Sequence, residues 1–280
     1  MSNILTVGMC TYDDFDGVYF TVQSLKMHQT CKDFDILIID NNPHSMSGKT
    51  TKHFADAAGV EYIAYEAKKG TSVRNQVFEK SKTKYTLCID SHVLLDAKYI
   101  KNLLNYYREN EALKDIVSGT LCDDKLIPYA TQFDPIWDHW MYGKWGFNRE
   151  KFELQQPFEI GMMGLGAFSC ATEHWHGFNE AFIGFGGEEG YIHEKFRKYG
   201  GKAICIPQLK WTHRFGRPNG QKYPLQLEDR IWNYFIGWLE LTKNPKNKNL
   251  KEMYKYFIEN YDKNIIDKIF MKAKKHYGLK

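Results

Sequence analysis

Residues 85–92 read Tyr85-Thr86-Leu87-Cys88-Ile89-Asp90-Ser91-His92. The first five, aromatic, β-branched and apolar, have the composition of a buried strand. Asp90 and His92 follow two positions apart at its C-terminal end, and the strand period of two points both the same way. In an open α/β sheet that end faces the crevice where ligands bind. One carboxylate and one imidazole there can meet a single divalent cation, and a cation so held can grip a diphosphate. The same letters also suit a helix cap, since Asp and Ser satisfy the orphan N–H groups of a following helix. A helix-like stretch does run from Asp96 to Asn110.

Working outward, Ile4–Met9, Asp35–Ile39 and Glu61–Tyr65 also read as strands, and Val18–His28, Ser47–Ala58 and Thr71–Glu79 as helices. This alternation predicts a mostly parallel, doubly wound α/β sheet with right-handed crossovers. Ile116–Ser118 continues it. Residues 119–158 hold Tyr129, Phe133, Trp137, Trp140, Tyr142, Trp145 and Phe147 among polar residues, which predicts a long functional loop or irregular excursion. Trp137–Trp145 in it would stack on a sugar or a base, or simply pack the loop. Glycine-rich Gly161–Gly166 and Gly184–Gly190 follow, then a helix-like stretch to Tyr199 and a strand, Ala203–Ile206, closed by Pro207. Leu250, Met253, Phe257, Tyr261, Ile265 and Ile269 recur at helical spacing and predict amphipathic C-terminal helices. The expected division is one α/β domain over residues 1–220 and a basic helical extension over 221–280 packed on it.

Composition limits the classes. Of 280 residues, 43% are hydrophobic and 26% charged, as in a soluble globular protein, whereas 15% aromatic is high enough to expect rings in a binding site. Six scattered cysteines without C-x-x-C spacing argue for a reducing compartment. The first apolar run begins at Ile4, which leaves no room for a signal peptide, and no apolar stretch reaches about 18 residues, so a cytoplasmic protein without a membrane span is expected. Residues 241–280 carry eleven lysines and four acids, +7, so the other 240 sum to −3. The basic character lies in the tail.

Further candidates follow from residue type. The first strand ends in Thr11-Tyr12-Asp13-Asp14, where a carboxylate can accept the imide N–H of uracil; the second ends in Asp40-Asn41-Asn42, expected to point into the same crevice. Both are also ordinary turn residues. Lys69-Gly70-Thr71-Ser72-Val73-Arg74-Asn75 opens a helix, and Arg74 there can hold an acid or a phosphate bidentately. Gly184-Phe185-Gly186-Gly187-Glu188-Glu189 brings backbone close to a ligand and presents carboxylates at a helix start. Trp211-Thr212-His213-Arg214-Phe215-Gly216-Arg217-Pro218 supplies a third ligand, His213, and one Asp with two His suits Mn²⁺ better than Mg²⁺.

Taken in order, Asp90-x-His92, Gly186-Gly187-Glu188, Phe196-Arg197, Gly200-Gly201, Ile206-Pro207 and His213-Arg214-Phe215, with Gly70 and Arg74 upstream, make a set over residues 4–220. It resembles the polypeptide N-acetylgalactosaminyltransferases and their wider relatives among family 2 glycosyltransferases with the GT-A fold. The resemblance implies a GT-A (Rossmann-like) sheet flanked by helices, a UDP-sugar donor and a hydroxyl acceptor. It implies Asp90, His92 and His213 as ligands of Mn²⁺ or a similar cation, and Glu188, beside Glu189, as the carboxylate on the acceptor side. Arg74 and Thr11, Tyr12 and Asp13 would lie near the nucleotide, with Asp40, Gly70, Ser91, Gly187 and Arg214 completing the nucleotide-sugar contacts. It favours retention, with the leaving phosphate taking the acceptor proton; under inversion Glu188 or Glu189 would be the base. Phe185 stands where those enzymes tend to have Trp and Glu189 where they have Asn, and their lectin domain and membrane anchor have no counterpart. Other expectations are a transferase acting on a hydroxymethylated DNA base through the lysine-rich tail, and a catalytically silent nucleotide-sugar-binding module. A nucleotidyltransferase would need a glycine-rich Lys/Arg loop where Met9–Asp13 stands.

Overall fold

The computed structural model describes residues 3–110, 113–216 and 220–279; Arg217 and Pro218 of the late motif, and Lys280 of the tail, lie outside them. The first half alternates strand and helix: β1 Leu5–Thr11, α1 Phe15–His28, β2 Phe34–Asp40, α2 Met46–Ala58, β3 Glu61–Ala64, a 3₁₀ turn Thr71–Arg74 running into α3 Asn75–Lys80, and β4 Tyr85–Asp90. β5 Val93–Leu95 and α4 Tyr99–Glu109 precede β6 Ile116–Cys122. Then come β7 Pro128–Ala130, β8 Gln132–Asp138, β9 Met141–Gly146, α5 Arg149–Glu153, β10 Phe158–Glu159 and β11 Ala167–Ala171. α6 Glu189–Lys198, β12 Ala203–His213, α7 Leu227–Thr242, α8 Lys248–Asn260 and α9 Lys263–His276 complete the chain.

The sheet runs β10-β12-β6-β11-β4-β1-β2-β3, with β5 on β12 and β7 on β6. Its β4-β1-β2-β3 half is parallel, with Cys10 level with both Asp90 and Ile39. β11 lies antiparallel between β4 and β6, and β6 and β12 are again parallel. The fold is therefore mixed α/β, less uniformly parallel than the alternation implies. Short β11, in the Gly-rich segment, enters from the opposite direction and separates the two parallel blocks. β4 shows why its residues were legible: Tyr85 to Ile89 are all buried, as in a strand covered on both faces.

The expected irregular excursion over 119–158 is instead largely ordered. β8 and β9 form an antiparallel hairpin, and its register shifts between Asp134 and Trp137, the segment containing Pro135. A bulge admits a proline that a regular ladder would reject. Trp137 stacks on Tyr256 of α8 (4.7 Å between ring centres) and packs edge-on against Phe257 and Tyr234, so its role is packing. The C-terminal helices share the core: Ile231, Phe235, Ile236 and Leu239 of α7 are buried, and Phe235 meets Phe257 of α8 and Phe270 of α9. A buried Lys195–Glu240 ion pair at 2.8 Å ties α6 to α7. Among the described residues no helix is long and apolar enough to cross a membrane, and the six cysteines are all free.

Candidate active site

β4 delivers Asp90 to the C-terminal edge of the sheet, and the chain then turns into β5. β5 pairs antiparallel with the end of β12, setting Val93 level with His213, and the Arg214 N–H donates to the His92 carbonyl at 3.1 Å. That pairing brings His92 and His213 together across 121 residues of sequence: Nε2 to Nε2 is 3.2 Å. Asp90 Oδ2 lies 3.5 Å from His213 Nε2 and 4.0 Å from His92 Nε2. One carboxylate oxygen and two imidazole nitrogens thus lie within 4.8 Å of one another. Such a donor set fits a borderline divalent cation.

A fourth residue orients this group. The Asp14 carboxylate accepts from His92 Nδ1 at 2.7 Å and from Ser91 Oγ at 3.1 Å, while its other oxygen caps α1 at Gly17 N. With the Nδ1 proton facing a carboxylate, the lone pair of His92 is left on Nε2, toward Asp90 and His213, the arrangement that supporting carboxylates give to metal-binding histidines. The sequence reading placed the neighbouring Asp13 near the nucleotide. Asp13 sits at φ +53° and accepts from Asn42 Nδ2 at 2.9 Å, with Oδ1 buried and unpartnered.

Arg74 joins two acids. Its Nη2 donates to Asp90 Oδ1 at 2.9 Å and its Nη1 to Glu188 Oε1 at 3.0 Å. Burial alone would raise the Asp90 carboxyl, but Arg74 above all, then the His213 hydrogen bond, hold it far below the ordinary carboxylate range. Arg74 itself, which burial would lower, is held well above its usual value by Asp90 and Glu188. Glu188 Oε2 is buried and has no hydrogen-bond partner among the described residues. Its neighbour Glu189 is pushed up to about 7, by burial first and by Glu188 second, with Arg230 pulling the other way.

Glycines fix the distance between these acids. Gly70 and Gly184 lie side by side in a short parallel bridge, with Thr71 N–H donating to the Gly184 carbonyl at 2.9 Å and Gly186 N–H to Thr71 Oγ1 at 3.2 Å. Gly70 has φ +122°, and a Cβ there would overlap the Gly184 carbonyl. The bridge sets Arg74, one turn later, against Glu188.

A cavity at this edge is lined by Thr11, Tyr12, Asn41, Gly70, Arg74, Asp90, Ser91 and His92, with Phe185 and Tyr223 alongside. Asp40 does not reach it. Its carboxylate is fully buried, accepting from Asn42 N–H and Tyr62 Oη at 2.9 Å each, and burial raises its pKa. Side chains alternate along β2, so Asn41 faces the cavity in its place, donating to the Tyr65 and Lys68 carbonyls. Gly187 packs against Asn233 of α7 rather than lining the cavity. Arg214 borders an adjoining hollow with Tyr12, Asp13 and Asp14. On the far side of Arg74, Trp145, Glu188, Glu189, Phe215 and Arg230 wall a second cavity. Asp14 and Asn41 lie in the two strand-end motifs without having been singled out in them, and Arg230 was not foreseen. The only available signals were a carboxylate at a helix start and the parity of the strand end.

Residues 6–174, more than half the chain, match the model of glycosyl transferase family 2, and the chain belongs to that family. Glu188 and His213 fall beyond the matched span, so their place in the site rests on geometry. No curated protein matches the chain in sequence. Among solved structures, the crystal structure of GalNAc-T7 with UDP, GalNAc and Mn²⁺ is similar at TM-score 0.67 and 17% identity, over 98% of this chain and 58% of that one. TarS from S. aureus is similar at TM-score 0.53 and 12% identity, over 96% and 43%. The chain thus spans little more than half the length of the first and less than half of the second.

Proposed function

We propose that this glycosyltransferase moves a sugar from a UDP-sugar to a hydroxyl group of a macromolecular acceptor and works with Mn²⁺ or a similar cation. The observation that carries this is the convergence of Asp90, His92 and His213 at the mouth of the cavity lined by Thr11, Tyr12 and Asn41, with Arg74 tying Asp90 to Glu188. GalNAc-T7, which shares the fold, was crystallised with UDP, GalNAc and Mn²⁺, and this supports the same donor class. The free cysteines support a reducing, cytoplasmic setting.

Bound to Asp90, His92 and His213, the cation would supply positive charge opposite the departing diphosphate. Asp14 keeps the His92 ring turned inward, and Arg74 keeps Asp90 ionised as a ligand. The acceptor oxygen bonds to the anomeric carbon while the bond from that carbon to the diphosphate oxygen breaks. Holding the two partners in a reactive orientation can supply roughly 7–11 kcal/mol. In the first reading the configuration is retained, the leaving phosphate oxygen takes the acceptor proton, and Glu188 orients the groups. A second reading rests on Glu189, a carboxyl raised to about 7 on the acceptor side. There it serves as general base and the configuration inverts. The anomeric proton coupling of the product separates the two. Under inversion, activity rises with pH through about 7 as Glu189 ionises, and Glu189→Gln removes that rise.

The donor and metal are tested by thermal unfolding with UDP, GDP, CDP and TDP, each with Mn²⁺ and with EDTA. Stabilisation by UDP with Mn²⁺ alone is expected, about 2.7 kcal/mol at a hundredfold excess over Kd. A shift that persists in EDTA, or none with any nucleotide, refutes the proposal.

A further inference from the structure

The second cavity, on the acceptor side in the reading above, holds a cation, Arg230, that is in no ion pair among the described residues. Arg230 stands in the first turn of α7 with its guanidinium against the backbone of Gly186, where a Cβ would overlap it, and 5.7 Å from the centre of the Trp140 ring. Among the described residues its side chain makes no ion pair and no hydrogen bond, whereas Arg74, Lys195 and Arg197 each hold a carboxylate at 3.0 Å or less. The nearby acids do not serve it. Glu188 is committed to Arg74, and Glu189, although its charge attracts Arg230, forms no ion pair with it among the described residues. A guanidinium held on an aromatic face with its donors unspent has the geometry that recognises a carboxylate or a phosphate bidentately.

The surface beyond has the same sign. Trp140 lies at the tip of the β8–β9 hairpin, and the Tyr256 hydroxyl of α8 donates to the neighbouring His139 carbonyl at 2.5 Å. α8 carries exposed Lys248, Lys251 and Lys255, and only the first and last are paired with acids. We propose that Arg230 binds an anionic group, a phosphate or a carboxylate, on the acceptor, so that the acceptor is an anionic hydroxyl compound rather than a neutral one. This rests on the acceptor side being the cavity beyond Glu188.

Binding of glucose 6-phosphate, glucuronate and glucose, measured in EDTA by saturation-transfer NMR, tests the inference without donor or turnover. Wild type should bind one or both anionic sugars and prefer them to glucose, and the stronger of the two identifies the group. Arg230→Gln should weaken that binding on the order of 10- to 100-fold, as for a lost hydrogen bond to a charged group. Arg230→Lys, which keeps the charge without the fork, should fall between. Equal binding of glucose and the anionic sugars overturns the inference. Anion binding unchanged in Arg230→Gln would leave Arg230 as the counter-charge of Glu189 and overturn it too. The stabilisation by UDP with Mn²⁺ reports on the donor site separately, so either reading can fail alone.

Discussion

Replacing Arg74 with Met keeps most of the side-chain volume and removes the cation shared by two acids. The pairs are enclosed: the Arg74 side chain is 18% exposed, Asp90 22% and Glu188 6%. Breaking a buried pair by deleting one partner costs about 3–5 kcal/mol, because the remaining charge has no compensation. Here two carboxylates are stranded at once, a large fraction of the roughly 5–15 kcal/mol that holds a domain together. The cost depends on pH. In the wild type Asp90 is depressed, so its stabilising contribution is complete above the ordinary carboxylate value of about 4 and is lost as pH falls toward the folded value. In the variant, burial without Arg74 raises Asp90, which then takes up a proton on acidification and relieves the strain. Between pH 7 and pH 4 the wild-type contribution stays complete, so the gap between the proteins narrows there through protonation of the variant. Urea denaturation of both proteins in EDTA over that range measures it. A difference below about 1 kcal/mol at pH 7, the scale of an exposed ion pair, or a gap that widens on acidification, refutes the reasoning.

Asp14→Asn keeps an oxygen to cap α1 but withdraws the carboxylate from His92 Nδ1, and Mn²⁺ affinity should fall about 10–100-fold. Unchanged affinity in a metal titration would show that His92 is oriented by something else. Gly70→Ala places a methyl on the Gly184 carbonyl at a backbone angle of +122°, so a loss of about 2–4 kcal/mol is expected. An unaltered unfolding midpoint would mean that the bridge between the two loops yields freely and does not set the Arg74–Glu188 distance.

The parallel half of the sheet was legible because strands buried on both faces must be written in apolar letters throughout. Leu5–Thr11, Phe34–Asp40 and Tyr85–Asp90 could be placed within a residue or two for that reason. The antiparallel additions carry a weaker signal. Ala167–Ala171 is short and follows glycines. The β8–β9 hairpin contains Pro135 and alternates aromatic with polar residues, so it reads as a loop until the bulge between Asp134 and Trp137 is known. β5, three residues long, has no signature of its own, yet it brings His92 to His213. The resemblance supplied His213 as a ligand, but the strand that makes the contact had no sequence signal.

The side chains at the two strand ends are sorted by one thing: position along a strand end decides where a side chain goes more finely than residue type. Asp13 and Asp14 are adjacent carboxylates, and either composition argument fits both. Asp13 takes the left-handed turn and bonds Asn42, which leaves Asp14 to start α1 and reach His92. Asp40 and Asn41 differ by one step in a period of two, so the acid goes to Tyr62 in the interior and the amide to the cavity. Arg74 was read as facing either an acid or a phosphate, and the structure gives it two acids, which follows from Gly70 meeting Gly184 rather than from anything near Arg74 in sequence. Its charge is therefore spent inside the protein, keeping Asp90 ionised and Glu188 in place. In the proposed chemistry a cation on Asp90, His92 and His213 would add positive charge opposite a diphosphate, next to the hollow bordered by Arg214 and Lys222.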